Sequence, residues 1–274
     1  MCMSFPVSGS GAQASKVSFP VQTQQIYNLF LKFVGLIRIQ MLNISYFHFN
    51  PFQENTWLVR DNEGKAIVVD PGYLSEAERE AFHAFVEQHS IRLEAVLLTH
   101  AHGDHIAGAA DCCRRYGIKA YLAEEDRLML EDFAKLSARM GIEGIDTDFP
   151  CMGVGDGDTL HLVGCDWTVI STPGHTPGGV CYHCPKEGIL FTGDTLFKDS
   201  IGRSDLPGGD YDKLIVSIMD KIMGLDGGTD ILPGHGPTSN ISEERTHNPF
   251  LEPFNEPEQE GIDWDSEGIA LNGQ

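Results

Sequence analysis

The chain has 274 residues, of which 41% are apolar, 22% charged and 9% aromatic. This is close to the average soluble globular protein and excludes disordered, collagen-like and small disulfide-stapled architectures. Nineteen basic against 40 acidic residues give a net charge of −21, which repels phosphate backbones and anionic lipid, so no nucleic acid and no membrane is expected as a partner. Seven cysteines, an odd number without framework spacing in a chain long enough to fold unstapled, point to a reducing, cytoplasmic setting.

Residues 1–40 contain Lys16, Lys32 and Arg38 and no acid. Their apolar run from Ile26 to Ile37 is broken by Asn28 and Lys32 and falls short of the roughly 18 residues that cross a bilayer. Its flanking charge follows rather than precedes it, unlike a signal peptide. The expectation is a loosely structured N-terminal extension over 1–40, upstream sequence read from an early start codon. From Met41 the pattern predicts a β-meander over Ile44–Phe49, Thr56–Val59 and Ala66–Asp70, punctuated by Pro51, Asn62 and Gly64. Ser75 and Glu78 form a capping box that opens a helix with Ala77, Ala81, Phe82, Phe85 and Val86 on one face. The strand Ala95–Leu98 then completes a parallel β-α-β unit, whose carboxyl edge is where ligands gather in open α/β sheets.

Further helices are predicted over 111–116, 124–140 and 210–223, and strands over 159–163, 168–171, 179–182, 189–192 and 230–232. Cys181 and Cys184 form a C-x-x-C within strand-like sequence, and no second such pair exists to complete a zinc site. Residues 249–274, rich in proline and acid, are expected to be an unstructured tail, leaving 41–248 as the folded domain.

Chemistry concentrates directly after the strand ending at Leu98, where Thr99-His100-Ala101-His102-Gly103-Asp104-His105 offers four metal-ligand side chains in six residues. His100 and His102 share a direction on extended chain, while Asp104 and His105 turn toward a helix and can face a second centre. Three more ligand types follow apolar strands at Gly/Pro loops: His175, Asp194 and His235. A common sheet edge would gather them on one rim. No G-x-S-x-G nucleophile elbow is present.

With Val69-Asp70-Pro71-Gly72, Gly202-Arg203-Ser204-Asp205 and the motifs around His175, Asp194 and His235, the chain resembles the metallo-β-lactamase superfamily over about residues 42–248. Within it, it is most similar to short glyoxalase II-like (hydroxyacylglutathione hydrolase-like) proteins. The resemblance implies an α/β fold, a four-layer αβ/βα sandwich. It implies His100, His102 and His175 on one divalent metal, Asp104, His105 and His235 on a second, and Asp194 bridging. Asp104 and Asp194 would also orient the attacking hydroxide, and Asp70 would steady a ligand from behind. Imidazole and carboxylate donors suit zinc, iron or manganese, with zinc the default. Two such cations lower the pKa of a shared water and polarise a carbonyl, so no protein nucleophile is needed. The implied reaction is hydrolysis of a small-molecule thioester of the hydroxyacylglutathione type or a related small ester. The chain departs from full-length glyoxalase II in lacking its C-terminal helical domain. Lys198 and Arg203 are the nearby cations able to meet a substrate carboxylate, and Arg203 is equally placed to brace its loop through Asp205. The competing readings are a mononuclear iron persulfide dioxygenase of the same fold and a non-catalytic metal-binding or redox-partner module. The sequence leaves the oligomeric state open.

Overall fold

The computed structural model describes residues 2–5 and 42–252. One seven-stranded sheet runs in chain order through β1 (Cys2–Phe5), β2 (Asn43–Phe49), β3 (Glu54–Arg60), β4 (Lys65–Val69), β5 (Arg92–Leu97), β6 (Lys119–Ala123) and β7 (Cys151–Val154). Its pairs are antiparallel up to β4 and parallel from β4 to β7. A six-stranded sheet has the order β15 (Ser239–Asn240), β14 (Asp230–Pro233), β11 (Ile189–Gly193), β10 (Val180–Cys184), β9 (Cys165–Ser171), β8 (Thr159–Leu162). Only β11 and β14 pair in parallel there. A ribbon of β12 (Leu196–Phe197) and β13 (Ser200–Ile201) stands apart.

Alternation along the strands builds the layers, because successive side chains leave a strand on opposite faces. Trp57, Val59, Ile67, Val69 and Leu97 of the first sheet meet Trp167, Val169, Tyr182, Ile189 and Phe191 of the second in one core. The intervening Leu58, Ala66, Val68 and Val96 face outward onto α1 (Glu76–Gln88), α3 (Ala109–Tyr116) and α5 (Leu130–Arg139), through Phe82, Val86, Cys112 and Phe133. On the far side Leu190, Ile231 and Cys181 meet α6 (Tyr211–Ser217), its π-helical continuation Ile218–Ile222, and α7 (Ile241–His247). Helix, sheet, sheet, helix is the αβ/βα sandwich. Cys181 faces the helices and Cys184 the space between sheets, so the C-x-x-C cannot converge on one ion.

Several expected elements differ in detail. The capping box at Ser75 is present, but Ala77 and Ala81 are exposed and His83 is buried with Phe82 and Val86. His83 takes the inner face because its two ring nitrogens bond Asp111 (2.6 Å) and Tyr116 (2.7 Å). The single helix expected over 124–140 is two, α4 (Glu124–Arg127) and α5, separated by a tight turn in which Met129 N–H reaches Asp126 C=O. The strand expected to end at Val163 stops at Leu162, since Val163 is left-handed (φ 54°) in a two-residue hairpin loop with Gly164. Within the stretch expected to be an extension, β1 pairs with β2; its residues 6–40 lie outside the described residues, as do 253–274. Leu251 is buried in the helix-side core.

Candidate metal centre

The seven ligand-type residues come from loops that leave one end of both sheets. His100 and His102 follow β5, and the short helix α2 (Gly103–Ile106) presents Asp104 and His105. His175 lies between β9 and β10, Asp194 follows β11, and His235 follows β14. The structure brings all seven together. His102 Nδ1 lies 2.9 Å from His175 Nε2, and His105 Nε2 lies 3.3 Å from His235 Nε2. Asp104 Oδ2 is 3.3 Å from His235 Nε2 and 3.8 Å from His105 Nε2. Asp194 stands between the two groups, with Oδ1 3.3 Å from His105 Nε2 and Oδ2 3.5 Å from His175 Nε2 and 3.7 Å from His235 Nε2. His100, His102 and His175 form one cluster of metal-ligand type, and Asp104, His105 and His235 another.

Hydrogen bonds behind the rings set which nitrogen carries the proton. His175 Nδ1–H donates to the Arg203 carbonyl (2.6 Å) and His235 Nδ1–H to the Phe52 carbonyl (3.1 Å). His105 Nδ1–H donates to Asp70 Oδ2 (3.0 Å). Thr99 gives its one hydroxyl hydrogen to Asp70 Oδ2 (2.6 Å), so His100 Nδ1–H is the donor to Thr99 Oγ1 (3.0 Å). Four imidazoles thus turn Nε2 toward the interior, the arrangement found behind metal-ligating histidines. The buried His100 Nε2, His102 Nε2 and Asp194 Oδ1 have no hydrogen-bond partner among the described residues. Unpaired buried acceptors are costly, and imidazole and carboxylate donors gathered this closely fit divalent cations.

Protonation follows the same division. Burial drives His100 well below its ordinary value, with His105 and His102 adding to it. Burial and His175 take His102 down to about 3. Burial opposes charge on His105 too, but the Asp194 and Asp104 carboxylates outweigh it and hold its pKa high. In turn His105 and His235 overcome burial to hold Asp194 well below the carboxylate range.

Sequence reasoning missed the braces. Asp126, fully buried, accepts from Ala101 N–H (2.9 Å), Thr176 Oγ1–H (2.9 Å) and Gly178 N–H (2.7 Å), tying the His100–His102 loop to the His175 loop. Asn55 Nδ2 donates to Pro233 (3.1 Å) and Gly236 (2.8 Å) carbonyls on either side of His235. Gly193 must be glycine: its φ is 48° and a Cβ would collide with Thr99 Oγ1. An aspartate inside a Glu-rich helix start carries no local sign of such duty; only its burial reveals it.

A cavity of about 190 Å³ opens over the ligand-type residues, walled by Phe52, Leu136, Met140, Ile142 and Leu206, with Arg203 at its side. Arg203 is forked onto Asp205, Nε to Oδ1 at 2.7 Å and Nη2 to Oδ2 at 2.8 Å. Lys198 is exposed in the turn between β12 and β13 and does not line this cavity.

The sandwich with a histidine and aspartate rim at one end defines a metallo-β-lactamase fold, and the signature of the Metallo-beta-lactamase superfamily matches residues 49–237. The chain belongs to this superfamily of metallo-hydrolases. It is 35% identical over 212 residues to hydroxyacylglutathione hydrolase GloC of Haemophilus influenzae, covering 77% of this chain and 98% of that protein. Among solved structures it is similar to BLEG-1 B3 metallo-β-lactamase (TM-score 0.70, 37% identity, 76% of this chain and 99% of that one). It is also similar to TTHA1623 in a di-iron-bound form (TM-score 0.66, 34% identity, 75% and 99%). Among the described residues no helix is long and apolar enough to cross a membrane.

Proposed function

We propose that the chain is a hydrolase working with two divalent cations, zinc by default, that opens a thioester of the hydroxyacylglutathione type or a related small ester. The observation that carries this is Asp194 reaching both histidine clusters, with its own Oδ1 and the buried Nε2 atoms of His100 and His102 unpartnered among the described residues. In this reading His100, His102 and His175 hold one cation, Asp104, His105 and His235 the other, and Asp194 spans them. Cations there would lower the pKa of water toward neutrality and polarise the scissile carbonyl. The protein's own part is orientation: Asp70 fixes His105, Thr99 fixes His100, and the Arg203 carbonyl fixes His175. Asp104 and Asp194, held as anions, accept hydrogen bonds from a water in the cavity and aim its lone pair at the acyl carbon. Hydrolysis then breaks the C–S bond and returns the proton to the departing thiolate. The catalytic unit is residues 41–248, and a reducing cytoplasm suits the free thiols of the described residues.

Metal analysis with an S-D-lactoylglutathione assay tests the reading. About two ions per chain and saturable turnover that a chelator abolishes are expected, and Asp194→Ala should lose metal and at least about 100-fold in kcat together. Full turnover by that variant, or one iron per chain with persulfide oxidation, would overturn it. The likeness to BLEG-1 favours a second reading, β-lactam opening, which nitrocefin hydrolysis checks.

A further inference from the structure

One apolar side of the cavity is built by the way α5 ends. Gly141 takes a left-handed conformation (φ 96°), its N–H reaches the Ala138 carbonyl (3.2 Å), and Ile142 N–H reaches back to the Ser137 carbonyl (2.9 Å). This pair of bonds is the Schellman stop, which turns the second residue beyond the helix back toward its last turns. Ile142, only 2% exposed, thereby joins Leu136 and Met140, one turn apart on α5, in a single apolar wall. The wall is tied to the centre. Ser137 Oγ accepts from Gly103 N–H (3.1 Å), between His102 and Asp104, and the Phe133 ring meets His102 edge-on (centroids 4.9 Å). Ser137 is the polar side chain that α5 brings to the cavity. Its one hydrogen goes to the Phe133 carbonyl (2.8 Å), which leaves none for a hydroxyl on a bound acyl group. Around the same cavity Phe52 and Met140 stand exposed (39% and 42%), apolar surface that a substrate group would take out of water.

Resting on the hydrolase reading, we propose that this wall is the acyl subsite, that the preferred substrates carry an aliphatic acyl group of about four to six carbons, and that Ile142 sets the length. The reacting carbonyl has two substituents to place. A cavity of about 190 Å³ cannot enclose a tripeptide-sized thiol carrier, since sites that enclose drug-sized ligands run to roughly 300–1,000 Å³. The carrier therefore leaves through the mouth, and the acyl group stays inside against Ile142. An apolar cavity of roughly 150 Å³ takes up benzene, so about six carbons is the limit here. Each methylene laid on the wall improves recognition about four-fold.

The experiment holds the carrier constant. Acetyl, lactoyl, butyryl, hexanoyl and octanoyl thioesters of glutathione are compared on metal-loaded wild type, Ile142→Ala and Met140→Ser, with acetyl thioesters of ethanethiol and hexanethiol as a counter-series. Calorimetric binding of the product acids acetate, butanoate and hexanoate to the same proteins accompanies it. In the wild type, kcat/KM should rise about four-fold per methylene from acetyl to hexanoyl, through KM, then level or fall at octanoyl, with lactoyl below butyryl. Ile142→Ala should move the optimum to octanoyl. Met140→Ser, at an exposed position that spares the fold, should cut the hexanoyl-to-acetyl ratio about five-fold, and it decides alone if Ile142→Ala does not fold. A flat or falling series, a slope that Met140→Ser leaves unaltered, or a slope that follows the length of the thiol instead would overturn the proposal while leaving the hydrolase reading intact. If no thioester is turned over, the hydrolase reading fails, and the product acids then decide the role of the wall. Binding about four-fold tighter per methylene, weakened in Met140→Ser, supports it, and equal binding of the three acids sinks it.

Discussion

Proton bookkeeping at a single hydroxyl favours the neutral form of a buried acid beside the centre. Thr56 Oγ1 has three partners: Gly72 N–H (2.9 Å), the Asp70 carbonyl (2.8 Å) and Glu54 Oε2 (2.8 Å). The amide must donate and the hydroxyl has one hydrogen for two acceptors, so every contact is fully satisfied when Glu54 is a neutral carboxylic acid that donates to Thr56. Burial agrees, raising the Glu54 pKa well above its ordinary value against the pull of His105, with Asp70 adding to the rise. The sign for stability follows. Between the unfolded and folded pKa the native state holds a proton that the unfolded chain has lost, so stability present at acid pH drains away as pH rises. Glu54→Gln keeps a donor toward Thr56 without a titrating group. Its stability relative to wild type, from urea midpoints at matched metal, should improve from pH 5 to 7 by up to about 1.4 kcal/mol per unit. A constant difference across that range would show Glu54 to be ionised in the native state.

Among the elements, α4 shows how a short helix can be placed by the site rather than by its own sequence. Its four residues have no capping side chain, and its orientation is set by Asp126 turned inward onto two loops. Asp126→Ala would leave the Ala101 and Gly178 N–H groups buried without acceptors, at about 1–3 kcal/mol each. Denaturation should report a loss of about 3 kcal/mol or more, and chelator competition a 10- to 100-fold weaker metal affinity. This also explains what could be read beforehand. The gathering of the seven ligand-type residues was legible because four lie in one short segment and the others sit in Gly/Pro loops after apolar strands. The strands β2 to β5 and β9 to β11 were legible from apolar runs and the capping box from its spacing. By contrast β6 (Lys-Ala-Tyr-Leu-Ala) and β7 (Cys-Met-Gly-Val) have little intrinsic strand preference and are held by the ladder from β5. Likewise the break between α4 and α5 has no glycine or proline to mark it. Asp126, Asn55 and Thr99 act by reaching across the fold, and such reach has no local pattern.

At the level of the whole molecule, each histidine cluster draws on both sheets. His100, His102, Asp104 and His105 leave the seven-stranded sheet, and His175, Asp194 and His235 leave the six-stranded one. The rim is also joined directly, by Val180 N–H to the Thr99 carbonyl (2.9 Å) and Asn55 N–H to the Gly234 carbonyl (2.7 Å). A cation held by either cluster would therefore clamp sheet to sheet. With free metal at 100 times its Kd, each ion adds about 2.7 kcal/mol, so chelation should lower Tm by about 5–10 °C per ion, a shift that calorimetry reads directly. An unchanged Tm would mean that the sandwich does not depend on its rim.

The same layout makes the sandwich a two-ended object. β4 runs from Lys65 to Val69 and delivers Asp70 to the rim, while the turn before it, with Asn62 and Glu63 exposed, lies at the opposite end, about 16 Å away at strand rise. Anything fastened there, a fluorescent reporter or a tether to a solid support, would leave the chemical end facing free solution. The protein offers a handle and a working face on separate poles.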